Sequence, residues 1–64
     1  MNITLNGAAT TTDAATVEAL VAEAGAPADG TAVAIDGEVV PRSQWGRELH
    51  DGAVADILTA VQGG

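Results

Sequence analysis

The chain runs into its end as Leu58-Thr59-Ala60-Val61-Gln62-Gly63-Gly64, a strand-like segment followed by two residues without side chains and a terminal carboxylate. This arrangement suits chemistry performed on a protein's own C-terminus. Lacking Cβ atoms, Gly63 and Gly64 can thread a narrow active site in backbone conformations closed to other residues. Residues 62–64 are therefore expected to form a flexible reactive tail, with Gly64 the residue acted on and Gly63 and Gln62 the part that enters a partner's active site. The competing reading is an ordinary frayed terminus. Other residues offer less. His50 lies beside Asp51 and Glu48, but a lone His next to a turn reads as solvated rather than as an acid or base. Trp45 suits a partner hot spot, although packing into a satellite core is the favoured reading. Arg42 either pairs with a partner's carboxylate or steadies its own turn.

Composition removes most alternatives. At 64 residues the chain forms one small domain, spanning 1–64, of a size that buries only about 60% of its unfolded surface. Apolar residues make up 47%, many of them Ala, with no Phe or Tyr. Such a core leaves no room for a large internal active site. Without Cys and with one His, neither a disulfide framework nor a thiolate or clustered-His metal site is expected. Nine Asp and Glu stand against two Arg, giving a net charge of −7. Nucleic acid and anionic membranes bind chiefly through basic side chains, so neither is an expected partner. A basic protein surface fits better, through electrostatic steering. No targeting segment or bilayer-length apolar run is visible, and a cytoplasmic location is the expectation.

The elements that must position the tail read as follows. Ile3 and Leu5 alternate with polar residues as in a half-buried strand, Asn6-Gly7 signals a tight hairpin, and Ala8 to Thr12 returns. Thr16 caps a helix whose Val17, Leu20, Val21 and Ala24 form one apolar stripe, and Gly25 with Pro27 ends it. After an Asp29-Gly30 turn, Thr31 to Ile35 is apolar at nearly every position and reads as a central strand. Asp36-Gly37 reverses the chain into Glu38-Val39-Val40, which Pro41 terminates. Arg42 to Trp45 reads as a helical turn. A short edge strand around Arg47 to Leu49 and an Asp51-Gly52 turn lead to a last strand over Val54 to Val61. In that strand Ala55, Ile57 and Thr59 share one face, and Val54, Asp56, Leu58 and Ala60 the other. The plan is α+β: a ubiquitin-like β-grasp roll, with a mixed sheet of about four to five strands and one main helix packed across it.

Three segments carry a family resemblance: Val39-Val40-Pro41-Arg42-Ser43-Gln44-Trp45, the Asp51-Gly52 turn, and the Leu58 to Gly64 ending. Together with the short length and Thr16-Val17 at the helix start, they make the chain similar to the ThiS family, the sulfur carrier proteins of thiamine biosynthesis. The resemblance spans the whole chain. Two positions depart from it: Ala53 stands where the family often has Asp, and Ala55 where a larger aliphatic is usual. Both bear on the stability of the last strand rather than on the tail.

The resemblance implies a protein co-substrate rather than an enzyme, binding no cofactor of its own. An adenylating enzyme (ThiF-like) would activate the Gly64 carboxylate with ATP and Mg²⁺. A sulfur donor protein would convert it to a thiocarboxylate, and a thiazole synthase (ThiG-like) would take the sulfur. The residues agree: an ionised carboxylate is a poor electrophile until activated, and a chain without Cys cannot divert sulfur onto thiols of its own. Leu58, Ala60 and Val61, with Arg42, are the candidate partner interface. An apolar patch leading to the tail would let successive partners grip one surface, unless another part of the domain covers it. Two alternatives remain. One is a related carrier with the same tail, such as the small subunit of molybdopterin synthase. The other is a passive acidic ubiquitin-like binding module.

Overall fold

Two Xaa-Gly pairs shape the sheet. Asn6 and Gly7 have φ of 49° and 81°, and Asp36 and Gly37 of 52° and 85°, the doubly positive pattern of a type I′ turn. Each closes a two-residue hairpin. The first joins β1 (Asn2–Leu5) to β2 (Ala8–Thr11), with Leu5 opposite Ala8. The second joins β3 (Thr31–Ile35) to β4 (Glu38–Val40), with Ile35 opposite Glu38. The computed structural model describes residues 1–59.

The last described strand, β5 (Val54–Thr59), unites the hairpins. It pairs parallel with β1, Thr4 facing Val54 and Leu5 facing Ala55, and antiparallel with β3 from Thr31–Thr59 to Ile35–Ala55. The strand order is β2-β1-β5-β3-β4. Where β1 turns away, the Asn6 side chain extends the ladder, its Oδ1 accepting the Ile57 N–H at 2.8 Å.

Helix α1 (Val17–Glu23) crosses one face of this sheet. Thr16 caps it as the sequence predicts: its backbone is extended and its Oγ1 accepts the Ala19 N–H at 3.1 Å. At the other end Gly25, at φ 76°, donates to Ala22 O and Ala26 donates to Val21 O. These are the paired bonds of a Schellman stop. The stop also explains a correction. Ala24 belongs to the predicted apolar stripe but is exposed, because the chain leaves the helix there; Ala26, turned back by Gly25, packs against the core instead.

The core lies between helix and sheet. Val17, Leu20 and Val21 meet Ile3, Val33, Ile35, Val40, Ala55 and Ile57, with Ala14, Trp45, Leu49 and Ala53 closing the sides. Ala53 and Ala55 are fully buried, so both family departures are absorbed within the packing and β5 forms around them. Trp45 is 3% exposed and donates from Nε1 to Val40 O at 3.1 Å. It belongs to the main core rather than to a satellite.

One further expectation changes. Arg47 to Leu49 forms no edge strand. A single bridge joins Glu48 to Thr16, with Val17 donating to Arg47 O and Leu49 to Ala15 O. The segment pairs with the loop entering α1 rather than with a sheet edge. β3 is interior, between β5 and β4, but it is covered on one side only: Val33 and Ile35 are buried, whereas Ala32 is exposed and Ala34 half-buried. The predicted tight turn after Pro41 is a 3-10 turn, Arg42–Gln44. Among the described residues no helix is long and apolar enough to cross a membrane.

Candidate functional site

The face of the sheet away from α1 includes the outward side chains of β5, the strand that precedes residues 60–64 in the sequence. Side-chain alternation and strand registers place Ala9, Thr11, Asn2 and Thr4 on its β2–β1 half. Val54, Asp56 and Leu58 lie along its middle, with Ala32, Ala34 and Val39 on its β3–β4 half. Leu58 is 70% exposed, Val39 76% and Val54 43%. Leu58 therefore lies where the sequence places it, on the outer face of the last strand, and none of the described residues covers it. Sequence reasoning missed Val39. Its neighbours Glu38 and Val40 point to the opposite face, but in a three-residue strand no periodicity is long enough to separate the two faces.

Gly64, Gly63, Gln62, Val61 and Ala60 lie outside the described residues. Arg42 is exposed at the 3-10 turn, where its Nη1 meets Asp29 Oδ1 at 2.5 Å. That contact fits the turn-steadying reading. Both partners are solvated, so the pair contributes little stability.

His50 is more engaged than a solvated side chain. Its Nε2 lies 2.6 Å from Asp36 Oδ2 and its Nδ1 3.0 Å from Asp51 O. Both acceptors require N–H groups, which only the imidazolium supplies together. The hydrogen bond to Asp36 accordingly raises the His50 pKa above its ordinary value, with the bond to Asp51 O adding to it. Asp36 is held below its own ordinary value, first by His50 and then by accepting the Val54 N–H at 2.9 Å. The group ties the β3–β4 turn to the start of β5. It is structural, and the sequence could not show it because Asp36 and His50 are 14 residues apart.

The mixed five-stranded sheet spanned by one helix defines a ubiquitin-like β-grasp domain. The sequence model of the ThiS family matches residues 3–64, and the chain belongs to that family. Among solved structures, it is similar to the crystal structure of the thiamine biosynthesis protein ThiS from Geobacter metallireducens. The identity is 32%, with all of both chains covered and a TM-score of 0.82. The solution structure of a thiamine biosynthesis protein from the same organism aligns at 32% identity and TM-score 0.83, over all of this chain and 88% of that one. No curated protein sequence matches the chain significantly.

Proposed function

We propose that the chain is a sulfur carrier for the thiazole moiety of thiamine, acted on by partner enzymes rather than catalysing a reaction itself. The observation that carries this reading is the family match, which runs through Gly63 and Gly64 to the end of the sequence. An α-carboxyl, with a reference pKa of about 3.3–3.7, is ionised near neutrality and repels nucleophiles. Activation transfers AMP from Mg²⁺-bound ATP to the Gly64 carboxylate and releases pyrophosphate. The terminal sulfur of a donor protein's persulfide then attacks the acyl carbon and AMP leaves, forming an acyl disulfide. A thiol cleaves its S–S bond, giving the Gly64 thiocarboxylate and a disulfide. The thiocarboxylate sulfur is the nucleophile delivered to the thiazole synthase.

This chain's part is to be held and to reach. The outer face around Leu58 supplies the grip, and Ala60, Val61 and Gln62 link it to the reacting end. Gly64 follows Leu58 by six residue steps, and covalent geometry limits that span to about 20 Å. A partner's active site must therefore open within that distance of the docked face. Ubiquitin-like binding without chemistry would use the face alone and leave Gly64 idle.

The test is intact mass spectrometry after incubation with the cognate adenylating enzyme, ATP, Mg²⁺ and a sulfur source. The expected result is a gain equal to exchanging one oxygen for sulfur, localised to Gly64 and absent when Gly64 is deleted. A wild-type mass that stays constant under conditions competent for a known carrier overturns the proposal. Growth rescue of a deletion strain by thiamine, rather than relief of a molybdenum-cofactor defect, separates this carrier from the molybdopterin-synthase type.

A further inference from the structure

We infer that the partner covering the outer face presents a basic side chain to Asp56, and that this single charge pair selects the partner. The inference rests on the carrier reading above, because it concerns the surface that reading uses. The sequence holds nine acidic and two basic residues, yet on the outer face the described registers place one charged side chain, Asp56. It sits on β5, the middle strand of five. Ala34 faces it on β3, and Val54 and Leu58 lie two residues away along its own strand. The ion pairs among the described residues are Arg42 with Asp29 and His50 with Asp36. Asp56 belongs to neither.

A surface that covers Val54 and Leu58 also covers the carboxylate between them. Burying an unpaired carboxylate is strongly unfavourable, and charged residues are depleted from interface centres for that reason. A purely apolar surface is therefore rejected. A second copy of this chain brings a like charge and no cation on the same face, so stacking of two outer faces is rejected too. A protein surface with one Arg or Lys set among apolar residues satisfies both requirements, converting the desolvation cost into a specificity element. The overall negative charge steers such a partner toward the domain, and Asp56 fixes where it settles.

The experiment measures ATP-dependent activation of the full chain by the cognate adenylating enzyme, read as pyrophosphate release against carrier concentration. The variants are Asp56→Asn, Asp56→Arg and, as a control of equal charge change on α1, Glu18→Gln. The expected result for Asp56→Asn is a KM raised about tenfold, which corresponds to roughly 1.4 kcal/mol. Its kcat and urea midpoint stay unchanged, and the salt dependence of KM is weaker than in the wild type. Asp56→Arg raises KM further, while Glu18→Gln stays within about twofold of the wild type. A competent wild type with Asp56→Asn indistinguishable from Glu18→Gln overturns this inference and leaves the carrier reading standing. A wild type that is never activated removes both.

Discussion

Truncating Leu58 to Ala separates docking from folding. The change removes three carbons, worth about 2.4 kcal/mol in full burial at roughly 0.8 kcal/mol each. With Leu58 70% exposed in the isolated domain, folding claims only the remaining fraction, about 0.7 kcal/mol. A partner that covers the face claims the rest, about 1.7 kcal/mol, which is roughly a 15-fold change in Kd. The assay pairs titration calorimetry against the cognate adenylating enzyme with urea unfolding followed by the fluorescence of Trp45, the single Trp. The expected outcome is a Kd raised roughly 15-fold with unfolding stability lowered by only about 0.7 kcal/mol. A Kd within about twofold of the wild type would show that the partner does not rest on this part of the sheet. A stability loss beyond about 2 kcal/mol would show instead that Leu58 is a packing residue.

Other expectations follow from the same fold. The Asp36–His50 pair acts on stability in a defined pH window. His50 is raised from 6.5, so its contribution is complete below 6.5 and is lost as pH rises through the higher folded value. Asp36 is lowered from 3.8, so its contribution is present above 3.8 and is lost as pH falls through the lower folded value. Urea midpoints should be highest between these limits, and His50→Ala should flatten the alkaline decline; parallel profiles for variant and wild type would refute the coupling. In the core, Leu20 is 1% exposed, and Leu20→Ala should cost about 2–5 kcal/mol. A domain of 64 residues has only about 3–10 kcal/mol in total. Urea unfolding followed by circular dichroism should therefore find the midpoint lowered by about 1 M or more, and a cooperative transition near the wild-type midpoint would contradict the packing described.

What could be read from the sequence is what short-range chemistry decides. Asn6-Gly7 and Asp36-Gly37 specify their hairpins because positive φ at two successive positions is a local demand. Thr16 and Gly25 bound α1 because orphan N–H and C=O groups are satisfied within a few residues. The β5 faces were legible because six residues of alternation leave no ambiguity. Readings failed where a distant partner decides. Arg47 to Leu49 has strand-like composition, but its partner is the loop before α1, which removes it from the sheet. Ala24 keeps the helical spacing, yet the Schellman turn ends the helix at that point and passes its packing role to Ala26. β3 is central, as its apolar run predicts, but only the assembled sheet shows that Ala32 and Ala34 line the open face. Of the proposed site, the sequence located Leu58 correctly, whereas Val39 joins the face only through its pairing with Ala34. Asp56 was on the correct face from the start, but its isolation among uncharged neighbours emerges only when five strands are laid side by side.

The position of β5 has a consequence for how the carrier is made. Both hairpins, β1–β2 and β3–β4, are closed by local turns, yet neither is bonded to the other; β5 joins them, although it is the last described element in the chain. The sheet is therefore incomplete until synthesis has passed residue 59. A prematurely terminated chain lacks the central strand, Ala55 and Ile57 from the core, and Val54, Asp56 and Leu58 from the outer face. A chain that stops before β5 therefore lacks the outer face on which the proposed docking depends. The proposed sulfur-carrying segment thus follows directly on the strand that completes the fold, so on that reading assembly precedes delivery.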